Sequence, residues 1–223
     1  MTTNPPEQYE SAFQPFKQNP KAKPLLVWFG QLGLRLFGWQ ASGQLPDTDR
    51  FVVIGAPHTS NWDLPIAFCL MLIFGKKPRW MMKASMFWPP LGWFFKAAGG
   101  IPIDRSKNHN LVSATVDEFA NHEDFIVGIT PEGTRSKVPY WKTGFYYIAY
   151  QAKVPIVLGY FDYKRKIAGL GPAIFPSGDI EADQKKFRQF YAQIAPKHPT
   201  LYKPAQFSAE SIKRFQDSIS QSE

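Results

Sequence analysis

The chain has 223 residues, 44 % of them hydrophobic, 16 % aromatic and 20 % charged, which is enough apolar material for a sizeable core and excludes a disordered or collagen-like chain. Lys and Arg number 26 against 18 Asp and Glu, and the net charge of +8, with a pI of about 9.5, favours anionic partners. A single cysteine excludes an internal disulfide, and a mean hydropathy of −0.29 excludes a polytopic membrane protein.

The first 24 residues are polar and carry five prolines, so 1–24 reads as a flexible lead-in without a secretory pattern. The run Leu25 to Trp39 follows. As a helix it reaches roughly 22 Å, short of a hydrocarbon core of about 30 Å. Leu25, Trp28, Phe29, Leu32, Leu36 and Trp39 recur at helical spacing, with Gln31 and Arg35 on a narrow polar stripe. Residues 25–40 are therefore expected to form an amphipathic helix lying in the headgroup region of a membrane. The competing expectation is a helix packed on the domain.

Ser42 to Arg50 is a turn-rich connector. Beyond it, β-type runs alternate with helical patterns. Strands are predicted at 51–56 (FVVIGA), 79–83 (RWMMK), 124–130 (DFIVGIT) and 155–161 (PIVLGYF). Helices are predicted at 64–74, 91–98, 108–121, 142–153 and 181–195, and a β-hairpin around Gly169–Gly171 within 165–175. The 64–74 run is apolar on every side, so it is buried or faces a membrane. Residues 196–223 read as a polar C-terminal tail with a weak helix near 209–219. The alternation implies an α/β fold: a central mixed, mostly parallel sheet flanked by helices, preceded by the membrane-surface helix. No repeat is present.

No nucleotide-binding glycine loop, nucleophile elbow or zincin helix occurs, and the four histidines have no metal-ligand spacing, so no metal is expected. Cys69 lies in an apolar helical run and is a core filler rather than a nucleophile. Four segments remain.

Ala56 to Asp63 sits where a strand ends and a helix begins, the usual place for a site in an α/β protein. On one continuous helix His58 and Asp63 would point about 140° apart. They meet only if His58 lies in the turn and Asp63 in the first helical turn. Such a couple suits general-base work, because the carboxylate fixes the imidazole tautomer and stabilises the cation formed. Alternatively, Ser60-x-x-Asp63 is only a capping box. Gly99 to Ser106 presents Arg105, whose fork suits a phosphate, or a surface ion pair. Thr130 to Ser136 packs Glu132, Gly133, Thr134 and Arg135 into one tight loop. Arg135 is a second phosphate candidate, and Glu132 suits orienting Arg135 or an acceptor hydroxyl better than acting as an acid. Val154-Pro155 opens a strand.

Together, HTSNWD, GGIPIDRS, PEGTRS and VPIV resemble, in order, the four boxes of the glycerolipid acyltransferase family, best known for acylating lysophosphatidate (1-acylglycerol-3-phosphate). The resemblance covers roughly 51–161, with weaker support to 195, so 51–195 is expected to be the acyltransferase domain. Pro57 stands where the family often has Asn, and Leu158-Gly159 where many members continue with Pro. It implies that His58, held by Asp63, takes the proton of an acceptor hydroxyl attacking an acyl thioester. Arg105 and Arg135 bind the acceptor phosphate, Glu132, Gly133 and Thr134 belong to that pocket, and Pro155 shapes a substrate wall. Lys83, closing its strand, is a further phosphate candidate by position, or simply a surface lysine.

The resemblance implies an acyl-CoA or acyl-carrier-protein donor, no other cofactor, and a lysophospholipid acceptor. The enzyme would work at the cytoplasmic face of a membrane as a peripheral or monotopic protein, without nucleic acid. Leu25–Trp39 and Met86–Phe95, the latter with five aromatics in ten residues, are the candidate docking segments. Alternatives are an acyltransferase for another lysophospholipid or an amino-acid lipid, a lipid thioesterase or hydrolase that activates water with His58, and a non-enzymatic lipid- or nucleic-acid-binding module.

Overall fold

Continuous apolar runs in the central strands decide the core. A computed structural model describes residues 16–103 and 111–220. Among these, seven strands form one sheet: β1 (Gln40–Ser42), β2 (Arg50–Ala56), β3 (Arg79–Lys83), β4 (Gly100–Ile103), β5 (Phe125–Ile129), β6 (Ile156–Asp162) and β7 (Ile167–Ile174). The spatial order is β1-β7-β6-β2-β5-β3-β4. Every neighbouring pair is parallel except β6 with β7. The helices are α1 (Pro24–Leu36), α2 (Asp63–Phe74), α3 (Leu91–Ala97), α4 (Leu111–Asn121), α5 (Gly144–Gln151), α6 (Ile180–Tyr191) and α7 (Ala209–Ser220).

Successive strand residues point to opposite faces. Val52, Ile54 and Ala56 of β2, with Ile156, Leu158 and Tyr160 of β6, face a core completed by Phe119, Phe145, Phe187 and Phe215 of α4 to α7. Phe51, Ile126 and Val157 turn to the other face. On that side α1 and α2 bring Leu34, Ile66, Leu70 and Ile73 against Phe161 and Ala168. A central strand buried on both sides explains the unbroken apolar run FVVIGA.

Helix α1 buries Val27, Gly30 and Leu34 and leaves Leu25, Trp28, Phe29, Leu32 and Leu36 outward. A Cβ on Gly30 would stand 2.7 Å from the Cys69 carbonyl oxygen and 2.7 Å from Ile73 Cγ1, so only glycine lets α1 approach α2 this closely. The periodicity put Trp39 on the outward face too. It is instead buried, because the helix stops at Leu36 and the helical spacing no longer applies. On α3 and the turn before it, Trp88, Trp93 and Phe94 are exposed. Among the described residues, no helix is long and apolar enough to cross a membrane.

The hairpin expected around Gly169–Gly171 is not there. Those glycines lie within β7, and the turn falls at 163–166, between β6 and β7. A Cβ on Gly169 would lie 1.9 Å from the Ser42 carbonyl oxygen, so this glycine admits β1 beside β7 rather than making a turn. Gln40–Ser42, which the sequence offered as helix end and connector, is that strand. Beyond residue 195, Ala205, Phe207 and Phe215 are buried in the main core.

Candidate active site

Strands β6, β2 and β5 are adjacent and parallel, so their C-terminal ends open on the same edge of the sheet. His58 follows β2, Glu132 follows β5, and Tyr163 follows β6. Loops leaving neighbouring parallel strands at this edge converge, as is usual for sites in α/β folds.

His58 is in the turn and Asp63 opens α2, the one arrangement in which their five-residue spacing brings them together. His58 Nδ1 lies 2.9 Å from Asp63 Oδ2. A carboxylate can only accept, so Nδ1 carries the proton that faces it, and the neutral ring presents its lone pair at Nε2. The Asp63 side chain is 2 % exposed and that of His58 18 %, so the carboxylate is shielded while the imidazole stays reachable. Asp63 Oδ2 also accepts from the Ser60 backbone N–H at 3.2 Å, the return half of a capping box. The forward half is missing: Ser60 Oγ takes the Trp62 N–H at 3.1 Å instead of the Asp63 N–H, so the box is not closed and Asp63 serves the histidine. Its other oxygen, Oδ1, accepts from the Tyr163 hydroxyl at 2.5 Å.

Glu132 is buried, and its Oε2 accepts the His58 backbone N–H at 2.7 Å. Its Oε1 has no hydrogen-bond partner among the described residues. Burial pushes the Glu132 carboxyl up to about 7; the His58 N–H opposes this and the Asp63 charge adds to it. Glu132 was expected to orient Arg135 or an acceptor hydroxyl. Among the described residues it forms no ion pair with Arg135, and it ties the β5 loop to the backbone of His58. The reason is direction: the carboxylate turns inward while Thr134 and Arg135 are exposed. The Gly133 N–H closes the turn onto the Thr130 carbonyl at 3.0 Å.

Pro155 does not join this group. It precedes β6, level with the start of β2, since Val52 N–H donates to its carbonyl at 3.0 Å. Six strand residues at about 3.3 Å each put it roughly 20 Å from the His58 end of the sheet. There it is a buried residue at the opening of β6. Arg105 and the Lys83 side chain lie outside the described residues; β3 and β4, which they close or follow, end on the same edge as β2 and β5. Cys69 is half-buried against α1 beside Gly33, and burial pushes its thiol up. Among the described residues, no three His, Cys, Asp or Glu side chains gather to hold a metal ion.

Sequence reasoning missed Tyr163. A lone tyrosine after a strand carries no signal; only the adjacency of β6 and β2 reveals it. Its ring packs edge-to-face on buried Trp39, with centroids 4.8 Å apart, and its backbone N–H donates to the Ala195 carbonyl at 2.9 Å. A crevice of about 220 Å³ opens beside it, walled by Phe37, Trp39, Trp62 and Ile66, with Lys166 and Lys197 at its lining.

The family model described as Acyltransferase matches residues 40–158, more than half of the chain. The chain belongs to the acyltransferase family. The matched stretch runs from β1 through the His58–Asp63 turn and the Glu132 loop into β6. Among solved structures, this acyltransferase is similar to PlsC, the 1-acyl-sn-glycerophosphate (LPA) acyltransferase of Thermotoga maritima. The two share 20 % identity and a TM-score of 0.52 over 88 % of this chain and 78 % of that one. That likeness concerns the fold: a mostly parallel sheet with helices on both faces.

Proposed function

We propose that this acyltransferase moves a fatty acyl group from a thioester, acyl-CoA or acyl-carrier protein, to the hydroxyl of a lysophosphatidate-like acceptor at a membrane surface. The observation that carries the proposal is the His58–Asp63 contact of 2.9 Å at the open edge of the sheet. His58 Nε2 takes the hydroxyl proton as the oxygen attacks the thioester carbonyl carbon. The C–S bond then breaks, and the imidazolium returns the proton to the departing thiolate, so no covalent acyl-enzyme is required. Asp63 holds the ring and stabilises its charged form. Holding alcohol and thioester side by side supplies much of the rate by removing a bimolecular encounter.

Arg135 is exposed beside the Glu132 turn, and in this reading its guanidinium, with that of Arg105, takes the anionic head group. The outward aromatics of α1 and α3 supply the apolar face for a bilayer: Trp28 is 54 % exposed, Phe29 51 % and Trp93 69 %. The net charge of +8 adds attraction to anionic lipid. No cofactor beyond the donor thioester enters the reaction.

The test is a thiol-release assay with a panel of lysolipids, run in parallel with acyl-CoA and acyl-carrier protein, the lipid product being identified by mass. Acylated lysophosphatidate, formed in step with free thiol, is the expected result. Free fatty acid in place of acylated lipid would make the protein a thioesterase. A product from a different acceptor alone would overturn the assignment of the head group.

A further inference from the structure

We propose that Tyr163 is a positioning residue of the His58–Asp63 pair, a third member supplied by the end of β6, in a segment beyond the family match that ends at residue 158. The inference rests on the reading of His58 as general base and deepens it.

The geometry divides the Asp63 carboxylate into two jobs. Oδ2 serves the turn, taking His58 Nδ1 at 2.9 Å and the Ser60 N–H at 3.2 Å. Oδ1 takes a single side-chain donor, the Tyr163 hydroxyl at 2.5 Å, a hundred residues away in sequence. A carboxylate held at one oxygen swings about its Cβ–Cγ bond and carries the imidazole with it. Held at both oxygens, from two strands, it is fixed in plane. Such outer anchors orient the groups that do the chemistry.

The anchor is itself anchored. Trp39 packs on the Tyr163 ring, the Ala195 carbonyl takes its backbone N–H, and Lys197 Nζ stands 5.8 Å from its centroid. Burial and the adjacent Asp63 charge push the phenol upward, so it stays a donor at working pH. The hydrogen bond also draws charge from the carboxylate and tempers how strongly Asp63 holds a proton on His58. Other titratable or charged groups facing this cluster are Glu132 from the β5 loop, Lys166 from the β6–β7 turn, and Lys197 and His198 from the segment after α6.

Tyr163→Phe keeps the ring on Trp39 and removes only the hydroxyl. Its kcat should fall on the order of tenfold or more, the loss of one charge-assisted hydrogen bond, with acceptor KM unchanged. The acid limb of the kcat/KM profile should move to higher pH, because an untempered Asp63 holds the imidazolium more tightly. The unfolding midpoint is measured on the same preparation, with His58→Ala run alongside. Wild-type kcat and pH profile in Tyr163→Phe, with His58→Ala inactive, would overturn the role of Tyr163 and leave the base in place. A fall in kcat with an unmoved acid limb, or a loss confined to KM, would overturn it as well. Full activity in His58→Ala would instead remove the reading on which the inference rests.

Discussion

Glu132 offers a prediction whose size follows from the site. It is 6 % exposed, its Oε1 has no partner among the described residues, and its carboxyl is pushed from an ordinary 4.5 to about 7. Since the folded state holds this proton more tightly than the unfolded chain, the native protein binds more protons between about 4.5 and 7. Stability from this group is therefore highest below the lower value and falls as pH rises through the window. At about 1.36 kcal/mol per pH unit the whole effect is about 3 kcal/mol. Glu132→Gln keeps an oxygen for the His58 N–H and removes the titration. Urea unfolding of wild type and variant at pH values from 4 to 8 gives two stability curves whose difference isolates residue 132. That difference should grow in favour of the glutamine variant by about 3 kcal/mol on going from pH 4 to 8, steepest between 4.5 and 7. A difference flat across the range would refute the account of a desolvated carboxyl.

Three further outcomes test other parts of the account. Phe215→Ala should cost about 3–5 kcal/mol in urea unfolding, because its ring is 1 % exposed and packs on Tyr146, Tyr147 and Tyr150; a loss below 1 kcal/mol would show α7 to be peripheral. Replacing exposed Trp28 and Phe29 together by serine should weaken binding to anionic vesicles at least tenfold while leaving turnover of a water-soluble short-chain acceptor unchanged, and undiminished binding would remove α1 from the docking face. Arg135→Ala should raise acceptor KM about tenfold with kcat little changed; an unmoved KM would break the phosphate assignment.

Where sequence legibility ended follows from the physics. FVVIGA announces a doubly buried strand, and a histidine five before an aspartate at a strand–helix boundary can meet it in only one way, which is the way the chain folds. The distance of Pro155 from His58 was not legible, because a box of residues says nothing of strand direction; the register with β2 sets it at the far edge. The inward turn of Glu132 depends on which backbone N–H stands nearby, a fact of two loops brought together from 74 residues apart. Gly169 and Gly171 read as turn residues because close approach of another chain segment leaves the same mark in sequence as a bend. Tyr163 had no local signature at all, since its partner is set by sheet order.

The central claim is that His58 removes the acceptor proton. It is tested most directly by thiol release from the acyl donor in the presence of acceptor, comparing wild type with His58→Ala at matched folding and vesicle binding. A fall of about a hundredfold or more in kcat is the predicted result. A variant that transfers acyl groups at the wild-type rate would contradict it.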